Sequence, residues 1–373
     1  MQDRIYLDNA SSTSLNEEVA TTYTQLLQVH YANSESLYDE GVKLNKLMNQ
    51  SREAIASFLH VLPHEVLFTS GASESNNLAI KGLCFKHQDR KHIIVSAIEH
   101  SSIIETCEQL KRLFNYRITY LKVNPQGRIN LQELKEAICA DTLLVSIMWV
   151  NNEVGTIQDI QAIKSIVKAI PKLYLHVDGV QALGKFDLDL SQIDLASFSA
   201  HKIHGLKGSG ILIKKFNVEL EPLIIAGQQE LGLRGGTSNA ISNIVFAKTL
   251  RLALERQKSI QHIETLYTYL KTELQKIDGV QFNSPDEHCV AILNFSTPVK
   301  SEVMLNALNQ QGIMVSALST CHSAQTSSHV LKAMGFCHER ITSSVRVSLD
   351  YSNTKEELDY FITKIKENIK KYG

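Results

Sequence analysis

Short apolar, often β-branched runs alternate with amphipathic helical stretches through the first two-thirds of the chain. The candidate strands are residues 66–69, 93–96, 118–123, 143–149, 173–177, 195–199 and 210–213. Helical patterns such as residues 131–140 and 160–170 lie between them. Continuous apolar strands interleaved with helices predict an α/β fold, with a mostly parallel sheet covered by helices on both faces. Such sheets carry their sites at the carboxyl ends of the strands.

The pattern changes after residue 255, where fewer strands and longer helices follow. The candidate elements there are a helix at 250–277, a strand at 290–295, a helix at 302–311, a strand at 344–349 and a helix at 354–371. This order is typical of a smaller α+β unit. We therefore predict a large domain at residues 16–255 and a small α+β domain formed by residues 1–15 and 256–373.

Charge and cysteine usage exclude several classes of protein. The 38 Lys and Arg residues nearly balance the 39 Asp and Glu residues, so bulk electrostatics do not favour direct nucleic-acid binding. The chain starts without an apolar signal region, and the longest apolar stretch, residues 143–150, is too short to span a bilayer. We expect a cytoplasmic protein that binds no membrane. None of its six cysteines forms a C-x-x-C pair or a zinc-finger pattern, so no metal is expected.

Two polar residues directly follow predicted strands. Lys202, in the segment SAHKIHGLKG at residues 199–208, lies on a turn with spaced glycines. It is either a surface lysine or a desolvated Schiff-base lysine with a nucleophilic amine. Asp178 ends an apolar strand, where a carboxylate needs a partner. A protonated pyridine nitrogen would satisfy it and keep the ring an electron sink, although Asp178 could also cap the next helix.

A third segment, TSGASESNN at residues 69–77, passes from a strand through a turn of small residues into a helix. Free amides at the start of a helix suit a phosphate. Neither G-x-x-x-x-G-K-[ST] nor G-x-G-x-x-G occurs there, which disfavours ATP and dinucleotides. Together the three segments offer sites for a phosphate, a ring nitrogen and an aldehyde, and they indicate a pyridoxal-phosphate enzyme.

With these residues in view, the sequence resembles the cysteine desulfurases of the NifS/IscS class, class V aminotransferase-like enzymes of pyridoxal-phosphate fold type I. The similarity extends from Tyr6 to Leu349. Its most specific pieces are FTSGASESNNLAI (68–80), SIMWVNNEVGT (146–156), HVDGVQALGK (176–185), SFSAHKIHGLKG (197–208) and LGLRGGTSN (231–239). The resemblance implies a seven-stranded, mostly parallel sheet in the large domain. It also implies that the small domain carries the loop of the catalytic cysteine.

The resemblance assigns roles to single residues. Lys202 would form the Schiff base with pyridoxal 5′-phosphate, and Cys321 would be the nucleophile. Asp178 would bind the pyridine nitrogen, and Gln181 would bind the phenolic oxygen of the ring. His100 would stack on the ring and assist proton transfer.

Further assignments concern the phosphate and the substrate. The residues implied to hold the phosphate are Ala72, Ser73, Ser199 and His201. Thr237 would join them from the partner subunit of a homodimer. Asn151 would lie near the ring and the substrate. Arg346 would bind the substrate carboxylate, a task that suits a planar bidentate donor.

Cys321 also has support from its own surroundings. It lies in STCHSAQTSS, residues 319–328, a polar and loop-like stretch, whereas the other five cysteines occur in apolar or helical stretches. A loop allows one thiol to reach a substrate sulfur and later an acceptor protein. The alternative is an idle loop cysteine. Thr320 stands where the family has a small residue, and His322 follows the cysteine, so the loop departs from the family pattern while the reacting groups are kept.

The implied activity is removal of sulfur from L-cysteine, giving L-alanine and a persulfide on Cys321. The persulfide would pass to a sulfur-acceptor protein, either an iron–sulfur scaffold or a tRNA-thiolating enzyme. The alternatives are a selenocysteine lyase, another class V pyridoxal-phosphate enzyme, or an inactive scaffold homologue. The last is disfavoured because the chain keeps all five of Lys202, Asp178, His100, Arg346 and Cys321.

Overall fold

The computed structural model describes residues 4–317 and 328–373. Its strands are β1 (Ile5–Tyr6), β2 (Val66–Thr69), β3 (His92–Ser96), β4 (Arg117–Leu121), β5 (Thr142–Met148), β6 (Tyr174–Asp178), β7 (Leu195–Ser199), β8 (Gly210–Lys214), β9 (Gln281–Phe282), β10 (Ile292–Ser296), β11 (Ile313–Met314) and β12 (Ser344–Ser348). Its α-helices are α1 (Glu17–Val29), α2 (Asp39–Phe58), α3 (Ala72–Asn77), α4 (Leu83–Lys86), α5 (Ser101–Phe114), α6 (Leu131–Ala137), α7 (Ile160–Lys168), α8 (Ala240–Gln257), α9 (Ile260–Gln275), α10 (Ser301–Gln310), α11 (His329–Ala333), α12 (His338–Thr342) and α13 (Lys355–Tyr372).

A seven-stranded sheet forms the centre of the molecule, in the order β2-β8-β7-β6-β5-β3-β4. Only β8 runs against its neighbours, since it pairs antiparallel with both β2 and β7. Every residue of β3, β5 and β7 is buried, because helices cover both faces. The predicted α/β fold and its mostly parallel seven-stranded sheet are therefore confirmed.

The carboxyl ends of five strands meet at one edge of this sheet. They are Thr69 of β2, Ser96 of β3, Met148 of β5, Asp178 of β6 and Ser199 of β7. Because β8 is antiparallel to both of its neighbours, β2 runs in the same direction as β7. This common edge collects the polar segments that the sequence analysis singled out.

The prediction of one long helix at residues 250–277 was wrong. The chain forms α8 and α9 there, separated by Lys258 and Ser259, and α8 begins ten residues earlier than predicted. The two helices pack against different parts of the molecule: α8 contacts α1 and α2, whereas α9 contacts α13. Tertiary packing overrides a helical periodicity that continues through the break.

The C-terminal part contains a three-stranded antiparallel sheet in the order β12-β10-β9. Beside it, the N-terminal strand β1 pairs in parallel with β11, and Asp8 bridges to Ser348. The first residues thus join the C-terminal elements, while the division into two domains stays a prediction. Among the helices of the described residues, none combines the length and the apolar character needed to cross a bilayer.

Candidate active site

A cavity of about 540 Å³ opens at the carboxyl edge of the central sheet. It is lined by the turn after β2, by the ends of β6 and β7, and by side chains from the N-terminal segment and β12. The sequence-predicted residues that line it are Ala72, Ser73, His100, Asp178, Gln181, Ser199, His201, Lys202 and Arg346. The fold therefore brings together residues from five separate segments of the sequence.

Lys202 reaches the cavity from a single 3₁₀ turn, Ala200–Lys202, that directly follows β7. Its Nζ donates hydrogen bonds to the backbone oxygens of Ala10 and Ser11, at 2.7 and 2.6 Å. The side chain is half-buried, and the N-terminal segment orients its amine. This arrangement leaves the lysine beside the carboxyl edge rather than on the solvated surface.

Asp178 ends β6 and is only 6% exposed. Asn76 Nδ2 donates to its Oδ2 at 3.0 Å, and the backbone N–H of Val180 donates to its Oδ1 at 3.1 Å. Both carboxylate oxygens are thereby held in place while retaining lone pairs for a cation in the cavity.

Gln181 follows Asp178 by one turn and is also buried. Its Nε2 donates to the backbone oxygen of Ala10 at 2.9 Å, the same oxygen that accepts from Lys202. Its Oε1 is buried and has no hydrogen-bond partner among the described residues. A buried polar atom of this kind indicates a missing partner at the cavity wall.

The turn between β2 and α3 forms one end of the cavity. Gly71 there has a φ of +148°, and α3 begins at the next residue. Gly210, the first residue of β8, approaches so closely that a Cβ on it would lie 2.5 Å from Gly71 Cα. The close approach requires glycine at position 210, and the φ of Gly71 is one that residues with a Cβ rarely adopt.

His201 lies beside this turn and lines the cavity. Burial lowers the pKa of His201 to about 4, and the nearby positive charges of Lys202 and Lys207 act in the same direction. The ring is therefore neutral at pH 7, with one nitrogen able to donate and one able to accept.

Arg346, in the middle of β12, is 2% exposed and is held from three sides. Its Nη2 donates to Asp8 Oδ1 at 2.7 Å and to Ser11 Oγ at 2.5 Å, and its Nη1 donates to the backbone oxygen of Asn152 at 3.0 Å. Its buried Nε has no partner among the described residues. A guanidinium fixed at a cavity wall is suited to bind a carboxylate.

The segment after β3 supplies His100, which caps α5 by accepting the backbone N–H of Ser102 at Nδ1. The preceding Glu99 is fully buried, and burial raises its pKa to about 8 despite hydrogen bonds from Ser96 and the backbone of Met148. Sequence reasoning did not single out Glu99.

Comparison with known proteins adds to this geometry. Residues 5–361 match the family described as Aminotransferase class-V. The chain belongs to this family.

Curated relatives show to which group of enzymes within this family the chain is similar in sequence. The chain is 40% identical to the NifS/IcsS protein homolog of Lactobacillus delbrueckii subsp. bulgaricus, covering 97% of this chain and 96% of that protein. It is 37% identical to the cysteine desulfurase IscS of Dictyoglomus turgidum, covering 100% and 96%. These relatives confirm the resemblance inferred from the sequence: within its family, the chain belongs with the NifS/IscS-type cysteine desulfurases.

Solved structures agree with that grouping. A NifS-like protein superimposes with a TM-score of 0.93 at 35% identity, covering 99% of this chain and all of that one. A structure described as SspA in complex with cysteine gives a TM-score of 0.82 at 35% identity, covering 92% and 98%.

Three of the predicted site residues are not among those that line the cavity. Asn151 is buried, and its side chain bonds to backbone atoms of Ile98, Glu153 and Val154, whereas its neighbour Asn152 lines the cavity. Thr237 is exposed in this chain; its assigned place is in the partner's site. Cys321 lies outside the described residues.

The five other cysteines of the chain differ in burial more than the sequence suggested. Cys84, Cys107 and Cys289 are buried, and burial raises the pKa of each thiol. Cys139 and Cys337 are exposed, so the prediction of apolar or helical settings was wrong for these two. Hydrogen bonds from Thr142 and Arg117 lower the pKa of the Cys139 thiol, which lies outside the cavity.

Sequence reasoning also missed the residues that orient the predicted ones. Asn76 positions Asp178, and Asp8 with Ser11 positions Arg346. All three lie in segments that the resemblance covers, but polar residues in the short helix α3 and in the N-terminal segment carry no pattern of their own. No group of three or more potential metal ligands occurs among residues 4–317 and 328–373.

Proposed function

We propose that the chain removes sulfur from L-cysteine, using pyridoxal 5′-phosphate as its cofactor, and stores it as a persulfide on Cys321. One observation carries the proposal. Lys202, Asp178 and Arg346, which provide an amine, a carboxylate and a guanidinium, line a single cavity at the carboxyl edge of the sheet. Its volume of about 540 Å³ falls within the range of about 300–1,000 Å³ of small-molecule sites.

The residues present fit this cofactor. The buried Oε1 of Gln181 lacks a partner among the described residues, which suits a phenolic ring oxygen. Asp178 is oriented by two donors and is chemically matched to a pyridinium N–H. The close approach of Gly71 to Gly210 leaves a turn of backbone amides free of side-chain bulk at the start of α3, where a phosphate would be held.

When bound, this cofactor supplies an electron sink for the pair left behind by a departing α-proton. The residues of the chain do the remaining work. Lys202 would provide the amine that holds the cofactor, and the same amine would take the α-proton of the substrate. His100, which lines the same cavity, would exchange protons with the substrate, and Asp178 would keep the ring nitrogen protonated.

The thiol of Cys321 acts on the substrate sulfur. Its thiolate attacks that sulfur, so an S–S bond forms as the Cβ–S bond of L-cysteine breaks. The electron pair of the broken bond stays with the three-carbon fragment, which takes up protons and leaves as L-alanine. L-Cysteine and a thiol are thus converted to L-alanine and a persulfide, with no external oxidant.

A homodimer completes the proposal, since Thr237 would reach the phosphate from the partner subunit. The persulfide is then passed to an acceptor protein, an iron–sulfur scaffold or a tRNA-thiolating enzyme. Leu37, Tyr31 and Ile225 are large apolar residues that are 94%, 92% and 84% exposed in the single chain, and such exposure supports burial against a second chain.

The direct test is to load the protein with pyridoxal 5′-phosphate and incubate it with L-cysteine and a thiol reductant. Equal amounts of L-alanine and sulfide are expected. Formation of pyruvate or of a transaminated product in place of alanine would contradict the proposal. Running L-selenocysteine in parallel separates a desulfurase from a selenocysteine lyase, because a lyase would act on the selenium substrate alone.

Replacing Arg346 with lysine is expected to raise the KM for L-cysteine by about tenfold or more, with a smaller effect on kcat. A lysine retains the charge but loses the planar bidentate donor and the contacts to Asp8 and Asn152. Steady-state kinetics measure the effects on KM and on kcat separately. The matched control is Arg128→Lys, on an exposed ion pair with Glu287; an equal rise in KM there would contradict the assignment.

The variant Gly210→Ala is expected to lower the free energy of unfolding by about 1–3 kcal/mol and to weaken cofactor retention, because its Cβ would push against Gly71. Thermal melting and the cofactor content after dialysis measure the two effects. Gly335→Ala is the control, since that residue has a φ of +86° with open space around it. It should lose stability and keep the cofactor; retention by both variants would argue against a phosphate at this turn.

A further inference from the structure

The turn at residues 151–154 is a buried polar segment next to the cavity. Asn151 and Glu153 are 0% and 3% exposed. Asn151 Oδ1 accepts the backbone N–H groups of Glu153 and Val154, and its Nδ2 donates to the backbone oxygen of Ile98. Asn294 Nδ2 from β10 donates to the backbone oxygen of Glu153. The turn is therefore fixed to both the central sheet and the C-terminal sheet.

One side of this turn holds Arg346. The backbone oxygen of Asn152 accepts from Arg346 Nη1 at 3.0 Å, so the guanidinium takes its position partly from the turn. The backbone of Arg346 in turn pairs with Ser316 in both directions, at 2.6 and 3.2 Å. Ser316 comes two residues before the segment 318–327 that contains Cys321.

The other side of the turn holds the residues that follow that segment. Ser328 Oγ donates a hydrogen bond to Glu153 Oε2 and accepts the backbone N–H of Leu331, which caps α11. Ser328 is 3% exposed. The next residue, His329, donates from Nε2 to the backbone oxygen of Glu99 at 3.1 Å.

Apolar packing reinforces this attachment. Val330, Leu331 and Met334, in and just after α11, form a buried cluster with Ile98, Met148 and Val154. Val154 belongs to the same turn as Glu153. The start of α11 therefore meets the turn through one polar contact and one apolar cluster.

We propose that Glu153 is a positioning residue for sulfur transfer: through Ser328 it sets where the chain leaves the Cys321 segment, on the same turn that orients Arg346. This inference rests on the proposed function. The same short turn thus contacts two parts of the site. It accepts a hydrogen bond from Arg346, which would bind the substrate carboxylate, and another from Ser328, which follows the segment that carries the accepting thiol. Because the attack joins the Cys321 thiol to the sulfur of a substrate held by Arg346, the relative placement of these two groups would govern its rate.

A purely structural role for Glu153 would lower stability alone. A positioning role predicts that loss of Glu153 slows sulfur transfer while substrate binding is nearly unchanged. The reason is that Arg346 keeps its contacts to Asp8 and Ser11 when Glu153 is truncated, whereas Ser328 loses its acceptor.

The experiment uses the full-length, cofactor-loaded protein and L-cysteine. Stopped-flow absorption of the cofactor measures substrate binding, and mass spectrometry of quenched samples measures the rate of persulfide formation on Cys321. For Glu153→Ala we expect the transfer rate at saturating L-cysteine to fall by about tenfold or more, with the binding constant changed by less than about threefold. Glu153→Gln keeps an acceptor oxygen for Ser328 and should recover most of the rate.

Ser328→Ala removes the donor from the other side of the contact and should reproduce the slower transfer with nearly unchanged binding. If the two residues act through their hydrogen bond, the transfer rate of the Glu153→Ala/Ser328→Ala double variant should be no lower than that of the slower single variant. Ser301→Ala is the matched control. Its hydroxyl is also buried and donates to the backbone of Thr342 and Ser344, yet it does not touch the turn.

Each outcome bears on one claim. Wild-type protein that forms no persulfide would overturn the proposed function itself. A wild-type protein that forms persulfide, with Glu153→Ala and Ser328→Ala no slower than Ser301→Ala at matched melting temperature, would overturn only the positioning role. If Glu153→Ala fails to fold, the comparison of Ser328→Ala with Ser301→Ala still decides the question, since Ser328→Ala removes the same hydrogen bond and retains most of the packing.

Discussion

Changing Cys321 to serine should reduce sulfide release by about a thousandfold or more. A serine hydroxyl is a far weaker nucleophile at neutral pH than a thiolate, and it cannot hold sulfur as a persulfide. Cofactor binding and the spectral change induced by L-cysteine should survive, because both precede attack on the sulfur. Absorption spectroscopy and sulfide release with a thiol reductant measure the two properties on one sample.

The matched control for this variant is Cys139→Ser. Cys139 is exposed, and hydrogen bonds from Thr142 and Arg117 lower the pKa of its thiol, so it is the described cysteine best suited to react on chemical grounds alone. It lies outside the cavity and should tolerate the change without loss of activity. Full activity of Cys321→Ser, or loss of activity in Cys139→Ser, would contradict the assignment of the persulfide to Cys321.

Changing Lys202 to alanine should remove the covalent link to pyridoxal 5′-phosphate and slow L-alanine formation by about 10³-fold or more, since positioned acid–base groups contribute about 10²–10⁴-fold. The amine is held at the cavity by the backbone oxygens of Ala10 and Ser11, and no other lysine of the described residues shares that position. Treatment with borohydride followed by peptide mass spectrometry reports the link independently of activity.

Lys81→Ala provides a control for the general effect of losing a half-buried amine. Burial lowers the pKa of Lys81, but its side chain does not line the cavity. It should keep both the borohydride adduct and the activity. An adduct that persists in Lys202→Ala would show that the cofactor is linked elsewhere in the chain.

Much of the large sheet was predictable because its strands are buried on both faces. A strand such as β5, in which every residue is buried, reads as one continuous apolar run. The edge strand β4 is half-exposed along most of its length, and its predicted end extended two residues too far. The break between α8 and α9 left no signal, because helical periodicity persists across it while the packing partners change.

Some residues of the candidate site were also predictable from the sequence, and others were not. Lys202 and Asp178 were predictable because charged residues directly after apolar strands are costly unless they have partners. Glu99 escaped notice although it is fully buried, since a glutamate before a helix is also typical of the surface. The orienting roles of Asn76 and Asp8 depend on contacts between residues 102 and 338 positions apart, respectively.

The sequence by itself determined the seven strands of the central sheet, the residue types that supply the chemistry, and the family to which the chain belongs. Periodicity and composition are local properties, and motifs persist wherever the chemistry needs the same atoms. Only the tertiary structure decided which atoms face the cavity, why Asn152 rather than Asn151 lines it, and that one buried turn contacts both Arg346 and Ser328. Such decisions come from packing and hydrogen bonding between distant segments, which no local pattern encodes.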